Sequence, residues 1–217
     1  MNLLLSYPYA ENTPFPNGGL PMRITAHSRI ARGDISDTSV VSFWNHSGTH
    51  VDGPAHMVKG APPLCSFDVS RFIFERPLLV DVSKEDSGLV RPEDLKAGKC
   101  DFLLLRTGFS RYRTSDPERY RTKSPGLSAE VAWFIVDNFP SLKALGIDSI
   151  SMAAPEHLEE GIEAHKILFE NRGREPILLI EDLDLRALVN PIRKVYALPL
   201  LVEGLDSAPC TVAAEVE

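Results

Sequence analysis

The sequence lacks a long apolar run, a basic leading segment and any block of like charges. No apolar run in its 217 residues approaches the roughly 20 that cross a membrane. The start, Met1-Asn2-Leu3-Leu4-Leu5-Ser6, has no basic residue and too short an apolar stretch for a secretory signal, so we expect a cytoplasmic protein. The net charge of -7 argues against a nucleic-acid partner, because phosphates would need a basic face.

Cysteine is scarce, with three residues far apart in the chain: Cys65, Cys100 and Cys210. No C-x-x-C pair occurs, so we expect free, mostly buried thiols rather than a zinc knuckle or a disulfide framework. The chain contains no G-x-S-x-G motif, the nucleophile elbow that would indicate a serine hydrolase. With 43% hydrophobic and 24% charged residues, the composition is typical of one globular domain, here residues 1–217.

The chain does contain a dense cluster of potential ligands, His46-Ser47-Gly48-Thr49-His50-Val51-Asp52-Gly53-Pro54-Ala55-His56. Imidazole and carboxylate are ligand types that suit zinc, manganese and iron. As one extended strand this segment would spread its ligands over roughly 33 Å. A turn at the glycines is therefore needed to gather them. The alternative is a polar loop whose histidines bond to backbone or solvent, but no turn requires so many potential ligands.

The order of the regular segments predicts an α/β fold. Asp101–Thr107 has the unbroken apolar character of a buried strand, and Ala144–Ile150 is a second strand. Between them, Ser128–Asn138 is predicted to form a helix that Ser128 caps. Such strand–helix–strand units indicate some parallel pairing. Earlier in the chain, the alternation in Met22–Ile30 predicts a half-exposed strand.

Two segments resist assignment to a regular element. Ser6–Gly19 holds three prolines and must be a loop, whose aromatic side chains either wall a pocket or pack as an irregular N-terminus. Phe109–Ser124 is rich in arginine and has no clear periodicity. We interpret it as a solvated surface loop, and the alternative is a mobile flap over a site for an anionic or aromatic substrate.

Two further candidate ligands lie in the second half of the chain. Pro155–Phe169 is predicted to be helical with a break before Ala164. His165 lies on its apolar face, where a buried histidine is either a core residue with a hydrogen-bond partner or a metal ligand. Glu181 directly follows the apolar run Pro176–Ile180. At that edge of the core its carboxylate needs an ion, a hydrogen-bond network or water.

The segment from His46 to His56 resembles the signature of the cyclase family of metal-dependent hydrolases, which includes the bacterial-type kynurenine formamidases and the isatin hydrolases. Other segments typical of the family occur in the expected order over nearly the whole chain: Leu5-Ser6, Leu105-Arg106-Thr107-Gly108, Pro125-Gly126-Leu127, Gly146-Ile147-Asp148, Ala164-His165-Lys166, Ile180-Glu181-Asp182-Leu183 and Ala197-Leu198-Pro199-Leu200. The resemblance implies an α/β domain with a mixed β-sheet or partly closed barrel flanked by helices, of the swivelling β/β/α type. It also implies a homodimer or a higher homo-oligomer.

The resemblance further implies a ligand set, carried over position by position. His46, His50 and Asp52 would bind one divalent metal ion. In the members of the family with two ions, Asp52 would also contact a second ion, held together with His165 and Glu181. Histidine–carboxylate sites accept both zinc and manganese, so the sequence does not distinguish the two.

The resemblance assigns His56 the role of catalytic proton donor and acceptor, and it makes Phe15 a candidate substrate-binding residue. Phe15 stands where kynurenine formamidases tend to present a substrate-stacking tryptophan. Two other departures from the family pattern are Ser151-Met152-Ala153, where an aspartate often ends the motif, and the added residues Asn171-Arg172-Gly173-Arg174.

Together with the family resemblance, these residues predict a metal-dependent hydrolase that acts on an amide, cyclic amide or ester-like bond of a small molecule. A divalent ion lowers the pKa of bound water towards about 7, and His56 would act first as general base and then as general acid. One alternative is a metal-dependent cyclase or lyase, which would leave no water oxygen in its product. The other is a non-catalytic, metal-dependent small-molecule binding protein, which Ala153 in place of an acid would suggest.

Overall fold

The computed structural model describes residues 1–16 and 18–217. The strands in these residues are β1 (Asn2–Leu4), β2 (Arg23–Ser28), β3 (Thr38–Ser42), β4 (His50–Asp52), β5 (Ile73–Phe74), β6 (Pro77–Asp81), β7 (Leu89–Val90), β8 (Phe102–Arg106), β9 (Gly126–Leu127), β10 (Ala144–Ile147), β11 (Leu178–Glu181), β12 (Ile192–Pro199) and β13 (Ser207–Val216). The helices are α1 (Tyr112–Ser115), α2 (Pro117–Lys123), α3 (Ala129–Asn138) and α4 (Leu158–Glu170). The described part of the predicted loop Ser6–Gly19 contains no helix or strand, and Asn17 lies outside the described residues.

Strand β4 joins a parallel half and an antiparallel half of one mixed sheet. Over the described residues this sheet has nine strands in the order β5-β12-β13-β4-β11-β10-β8-β6, with β1 added beside β13. Strands β6, β8, β10 and β11 pair in parallel, whereas β4 runs antiparallel to both β11 and β13. The mixed α/β architecture confirms the predicted fold class.

The sheet curls until its two ends lie close together. β5 pairs with β12 at one end, and only Glu75 and Arg76 separate β5 from β6 at the other end. The amides of these two residues donate to the Asp101 carboxylate at 2.9 and 2.8 Å. Near the start of β12, the Asn190 side chain bonds to the backbone N–H and C=O of Leu79 in β6. The result is the nearly closed barrel that the family resemblance implies.

Successive residues of the central strands face two different cores. Leu104 and Ile180 pack inside the barrel, whereas Leu103, Leu105 and Leu179 pack outward in the cluster that includes α3 and α4. Because these strands are buried on both faces, they read as continuous apolar runs in the sequence.

The two long helices cover the outer face of the parallel strands. Ser128 caps α3 as predicted, because its hydroxyl accepts a hydrogen bond from the Val131 amide at 3.1 Å. α4 runs without interruption, so the predicted break before Ala164 is wrong. A Cβ on Gly161 would overlap Ala153, so the small residues let α4 pack directly on the loop after β10. Within the described residues, no helix combines the length and apolarity that a membrane crossing requires.

The prediction of a solvated loop at Phe109–Ser124 is wrong. The segment forms a short 3-10 turn followed by α1 and α2, and Phe109 and Tyr120 are fully buried. The Tyr120 hydroxyl donates to Asp182 Oδ1 at 2.7 Å. The helices are too short to show an apolar period, so their burial depends on isolated aromatic anchors that a periodicity analysis does not detect.

Strands β2 and β3 form a two-stranded ribbon that pairs with no other described strand. The half-exposed strand predicted at Met22–Ile30 is partly wrong, because β2 has no buried face: Ile24 is 47% exposed and its neighbour Val41 on β3 is 46% exposed. The alternation correctly indicates a strand, but the body of the chain does not cover its apolar face.

Candidate metal centre

The ligand-rich segment bends at one of its two glycines, Gly48, whereas Gly53 has extended backbone with φ -102° and ψ 170°. Gly48 has φ +64°, and a Cβ there would lie 2.6 Å from the Tyr9 ring, so a side chain would be excluded on both grounds. The chain then forms β4 and enters a 3-10 turn at Pro54–His56. The two bends bring both ends of the segment, His46 and His56, to one place, with ring centroids 4.2 Å apart.

An inner cluster of four buried side chains forms where β4 meets β11. Its members are His50, Asp52, His165 and Glu181. The antiparallel register places Glu181 opposite His50, and His50 Nε2 lies 3.3 Å from both Asp52 Oδ1 and Glu181 Oε2. His165 reaches the cluster from α4, with Nε2 3.4 Å from Glu181 Oε1.

Two atoms of the inner cluster are buried without a hydrogen-bond partner among the described residues. They are His50 Nε2 and Asp52 Oδ1. Each lies near oppositely charged groups, but not in the geometry of a hydrogen bond. A buried polar atom left unpaired costs about 1–3 kcal/mol. A divalent cation between these atoms would satisfy both, and so the donor set fits a metal site.

An outer cluster of His46, His56 and Asp206 lies beside the inner one and is partly exposed. His46 Nδ1 is 3.0 Å from Asp52 Oδ1, which connects the two clusters. Asp206 Oδ2 accepts from His46 Nε2 at 2.8 Å and from His56 Nδ1 at 2.9 Å. The Asn45 amide donates to the other Asp206 oxygen at 2.9 Å.

Each predicted histidine ligand has one ring nitrogen bonded to an acceptor, which leaves the other nitrogen for a metal ion. His50 Nδ1 bonds to the Gly48 carbonyl at 2.8 Å, and His165 Nδ1 bonds to the Gly161 carbonyl at 2.7 Å. His46 Nε2 bonds in the same way to Asp206 Oδ2 at 2.8 Å, which leaves His46 Nδ1 for a metal ion. Metal-binding histidines are commonly oriented by such second hydrogen bonds, which fix the tautomer and raise the basicity of the ligand nitrogen.

The charges of the centre compensate one another. Burial alone would lower the pKa of His46, but the Asp52 and Asp206 carboxylates outweigh it and raise that pKa to about 10. Burial alone would raise the pKa of Glu181, yet His165 and His50 hold it well below its usual range. A divalent cation at these atoms would take over the charge that bound protons provide, so metal binding must release protons.

The structure brings together every predicted metal ligand and His56, and it forms two overlapping groups with the spacing of a metal site. One group contains His50, Asp52 and Glu181, and the other contains His46, Asp52 and His56. Asp52 belongs to both groups. The second group includes His56, the predicted proton carrier, so metal content in a His56 variant must decide whether this residue is a ligand.

The centre opens into a cleft of about 230 Å³ with mostly apolar walls. Trp44, Met57, Leu158 and Ile162 line it together with the clustered histidines and carboxylates. Phe15 is not among the lining residues; its ring packs at Gly19, and the neighbouring Pro16 lines the cleft instead. A substrate contact for Phe15 stays a prediction.

The departure at Ser151-Met152-Ala153 leaves Glu181 supported. The Ser151 hydroxyl and the Met152 amide donate to Glu181 Oε1 at 3.1 and 2.7 Å. Ala153 is small because Gly161 of α4 packs against it. The family's aspartate at this position is therefore not needed to hold the Glu181 carboxylate.

Asp206 is the main residue that the sequence interpretation missed. It lies directly before β13, in no recognisable ligand spacing, and it reaches the centre only because β13 pairs with β4. The approach of the two segments is close: the Gly53 amide donates to the Asp206 carbonyl at 2.8 Å. No signal in a single sequence relates these two positions.

Comparison with known proteins places the chain in a family. The family model described as "Putative cyclase" matches residues 3–154, and the chain belongs to this cyclase family. Cyclase-like protein 3 of Oryza sativa subsp. japonica is 28% identical over 220 residues, covering 94% of this chain and 76% of that protein. The kynurenine formamidase of Bacillus cereus is 27% identical over 165 residues, covering 76% of this chain and 73% of that protein. The resemblance inferred from the sequence is confirmed.

Solved structures show the same fold over the whole chain. Isatin hydrolase A from Labrenzia aggregata, bound to benzyl benzoate, has a TM-score of 0.84 at 21% identity and covers 99% of this chain and 93% of its own. Isatin hydrolase A from Ralstonia solanacearum has a TM-score of 0.85 at 20% identity and covers 100% and 92%. At this level of identity the match establishes the fold.

Proposed function

We propose that this protein is a metal-dependent hydrolase that cleaves an amide, cyclic amide or ester-like bond in a small molecule. The observation that supports this most directly is the pair of unpartnered buried atoms, His50 Nε2 and Asp52 Oδ1, next to the cleft that His56 lines. Relatives in the same family include a kynurenine formamidase, and structural neighbours include isatin hydrolases. Both names denote hydrolases of small molecules.

The proposal assigns ligands to two overlapping positions. His46 Nδ1, His50 Nε2 and Asp52 would hold one divalent ion, and Asp52, His165 Nε2 and Glu181 would hold a second. Zinc and manganese both suit this donor set. A divalent ion held there supplies a Lewis acid that polarises a carbonyl and lowers the pKa of water.

His56 would move the proton in this reaction. Its Nδ1 bonds to the Asp206 carboxylate, so the ring has Nε2 available to accept a proton. In the proposed step His56 takes a proton from the attacking water and then delivers it to the leaving nitrogen or oxygen, as general base and general acid. Trp44, Met57 and Ile162 would pack against the apolar part of the substrate in the cleft.

Metal content per chain tests the ligand assignment directly. We expect wild-type protein purified without chelator to hold two ions, and Glu181→Ala to hold one or fewer. Glu175→Ala serves as control, because that carboxylate is exposed and pairs with Arg71 on the surface. Two ions retained in the Glu181 variant would exclude Glu181 as a ligand, and no metal in the reconstituted wild type would exclude the hydrolase.

The reaction class is tested with water that contains oxygen-18. Metal-loaded protein is incubated with a panel of N-formyl aromatic amines and cyclic amides of a size that fits the cleft, and each product is analysed by mass spectrometry. One labelled oxygen per product supports hydrolysis. Conversion without label identifies a cyclase or lyase instead, and tight binding of ligand without turnover identifies a binding protein.

We also propose that the chain forms a homodimer or a higher homo-oligomer through β2 and β3. The ribbon exposes apolar side chains on both strands, and a two-stranded ribbon has little stability of its own. We expect light scattering to give more than one chain per particle and Val40→Asp to shift the particle to a single chain. Val69→Asp is the matched control, since both valines are 60% exposed. A wild type that is a single chain would contradict the proposal.

A further inference from the structure

Asp206 occupies a fixed position against the ligand-rich segment. Its carbonyl accepts a hydrogen bond from the Gly53 amide at 2.8 Å, and a Cβ on Gly53 would stand 3.1 Å from that carbonyl oxygen. The carbonyl of Leu205 accepts from the Leu64 amide at 2.9 Å, and Asn45 holds the Asp206 side chain at Oδ1. Hydrogen bonds therefore fix both the backbone and the side chain of Asp206.

One oxygen of this carboxylate accepts from two imidazoles. Asp206 Oδ2 lies 2.8 Å from His46 Nε2 and 2.9 Å from His56 Nδ1. A carboxylate only accepts hydrogen bonds, so both imidazole nitrogens must carry the proton. Once a metal ion has displaced the proton that His46 Nδ1 shares with Asp52 Oδ1, that nitrogen would be free to bind the ion, and in neutral His56 the lone pair would be at Nε2.

We propose that Asp206 is a positioning residue that sets the tautomer of His46 and of His56 at the same time. The inference rests on the proposed function, because it presumes that His46 binds metal and that His56 moves a proton. A neutral imidazole without a fixed partner exchanges its proton between the two ring nitrogens. In the metal-loaded protein Asp206 would prevent this exchange in both rings, so that His46 binds the ion through Nδ1 and His56 accepts a proton at Nε2.

The Asp206 side chain is 26% exposed, and it contacts both outer histidines. Among the described residues, Asp206 is the hydrogen-bond acceptor that both outer histidines share. This arrangement also predicts a coupling: a change at residue 206 must affect metal affinity through His46 and turnover through His56.

The experiment measures the histidine tautomers by nitrogen-15 NMR in zinc-loaded protein, with wild type and Asp206→Asn compared. The His56 resonances are assigned from their loss in His56→Gln. We expect wild-type His56 to carry its proton at Nδ1 and the variant to lose this single tautomer. Asp94→Asn is the matched control, since its side chain is 23% exposed and pairs with Lys84 outside the centre.

Two further measurements separate a positioning role from a general loss of structure. Zinc affinity should weaken about 10- to 100-fold in Asp206→Asn, the usual effect of removing an outer partner of a metal ligand. With any substrate that is turned over, kcat should fall with little change in KM, whereas Asp94→Asn should match the wild type in both measurements.

The outcome does not depend on finding a substrate, because the NMR spectrum and the zinc affinity need no turnover. A wild-type His56 protonated at Nε2 would overturn the inference without any variant. An Asp206→Asn protein with the wild-type tautomer and the wild-type zinc affinity would overturn it as well. Loss of zinc with an unchanged His56 tautomer would make Asp206 a metal ligand and would equally contradict a positioning role.

Discussion

The inner and outer clusters of the centre consist of the same residue types but differ in burial and in what holds them. The inner cluster of His50, Asp52, His165 and Glu181 is buried, and most of it lies on paired strands. The outer cluster of His46, His56 and Asp206 lies on turns and loops, with side chains 15–28% exposed. Regular pairing fixes the inner donors, whereas hydrogen bonds to one carboxylate fix the outer ones.

The difference supports the proposed roles, in which an ion compensates the buried carboxylates and His56 moves the proton. Two buried carboxylates, Asp52 and Glu181, are costly without positive charge close by. His56 is open to the cleft and can exchange protons with water or substrate. Asp52 contacts His46 of the outer cluster and His50 of the inner cluster, so we expect its replacement to affect both clusters.

The largest effect is expected from Asp52→Asn. The amide cannot supply the charge that both ligand groups share, so we expect metal content to fall to zero and activity to fall to the level of chelator-treated protein. Metal analysis and turnover of the same preparation measure this. Asp94→Asn should leave both values at the wild-type level; a metal-loaded, active Asp52→Asn would refute the shared role.

His56→Ala should separate the two clusters. We expect most of the metal to be retained while kcat falls about 10²- to 10⁴-fold, the typical contribution of a positioned general acid or base. His27→Ala is the control, because His27 is exposed on β2, away from the centre. Full activity in His56→Ala would remove the acid/base assignment, and loss of metal would make His56 a ligand.

Arg113→Ala should lower the free energy of unfolding, because it breaks a buried ion pair next to the inner cluster. Arg113 donates two hydrogen bonds of 2.7 Å to Asp182, the residue after Glu181, and both side chains are buried. Removing one partner of a buried pair destabilises a protein by about 3–5 kcal/mol. Urea unfolding measures this. The exposed pair of Arg172 with Asp137 provides the control, since Arg172→Ala should cost no more than about 1 kcal/mol.

The smallest effect is expected from Ser151→Ala. Glu181 Oε1 would lose one donor but keep the Met152 amide, so we expect a loss of about 1 kcal/mol, near fivefold, in affinity for the ion at Glu181. A competition titration with a zinc chelator measures it. Ser66→Ala, which removes an exposed hydroxyl that donates to the Pro63 carbonyl, should show no change.

Much of the site could be predicted from the sequence, because most of its ligands come from one short segment. His46, His50, Asp52 and His56 lie within a bend that Gly48 makes possible, so local geometry alone indicates their convergence. The capped helix at Ala129–Asn138 and the buried strand at Phe102–Arg106 were equally local signals.

The rest of the site depends on partners that are distant in the chain. The segment at Phe109–Ser124 has no period, yet it folds into helices because Tyr120 reaches the Asp182 carboxylate. The alternation of apolar residues in β2 predicts one buried face, but no described part of the chain covers that face. In both cases the outcome depends on whether a distant segment makes contact, which the local pattern does not show.

The sequence by itself determined the ligand types, the bend that gathers them and the family to which the chain belongs, since each of these depends on residues close together in the chain. Only the tertiary structure decided that Asp206 meets His46 and His56 and that Glu181 faces His50. Those contacts follow from the antiparallel pairing of β4 with β13 and β11. The order and register of strands are properties of the whole sheet, and no single strand contains them.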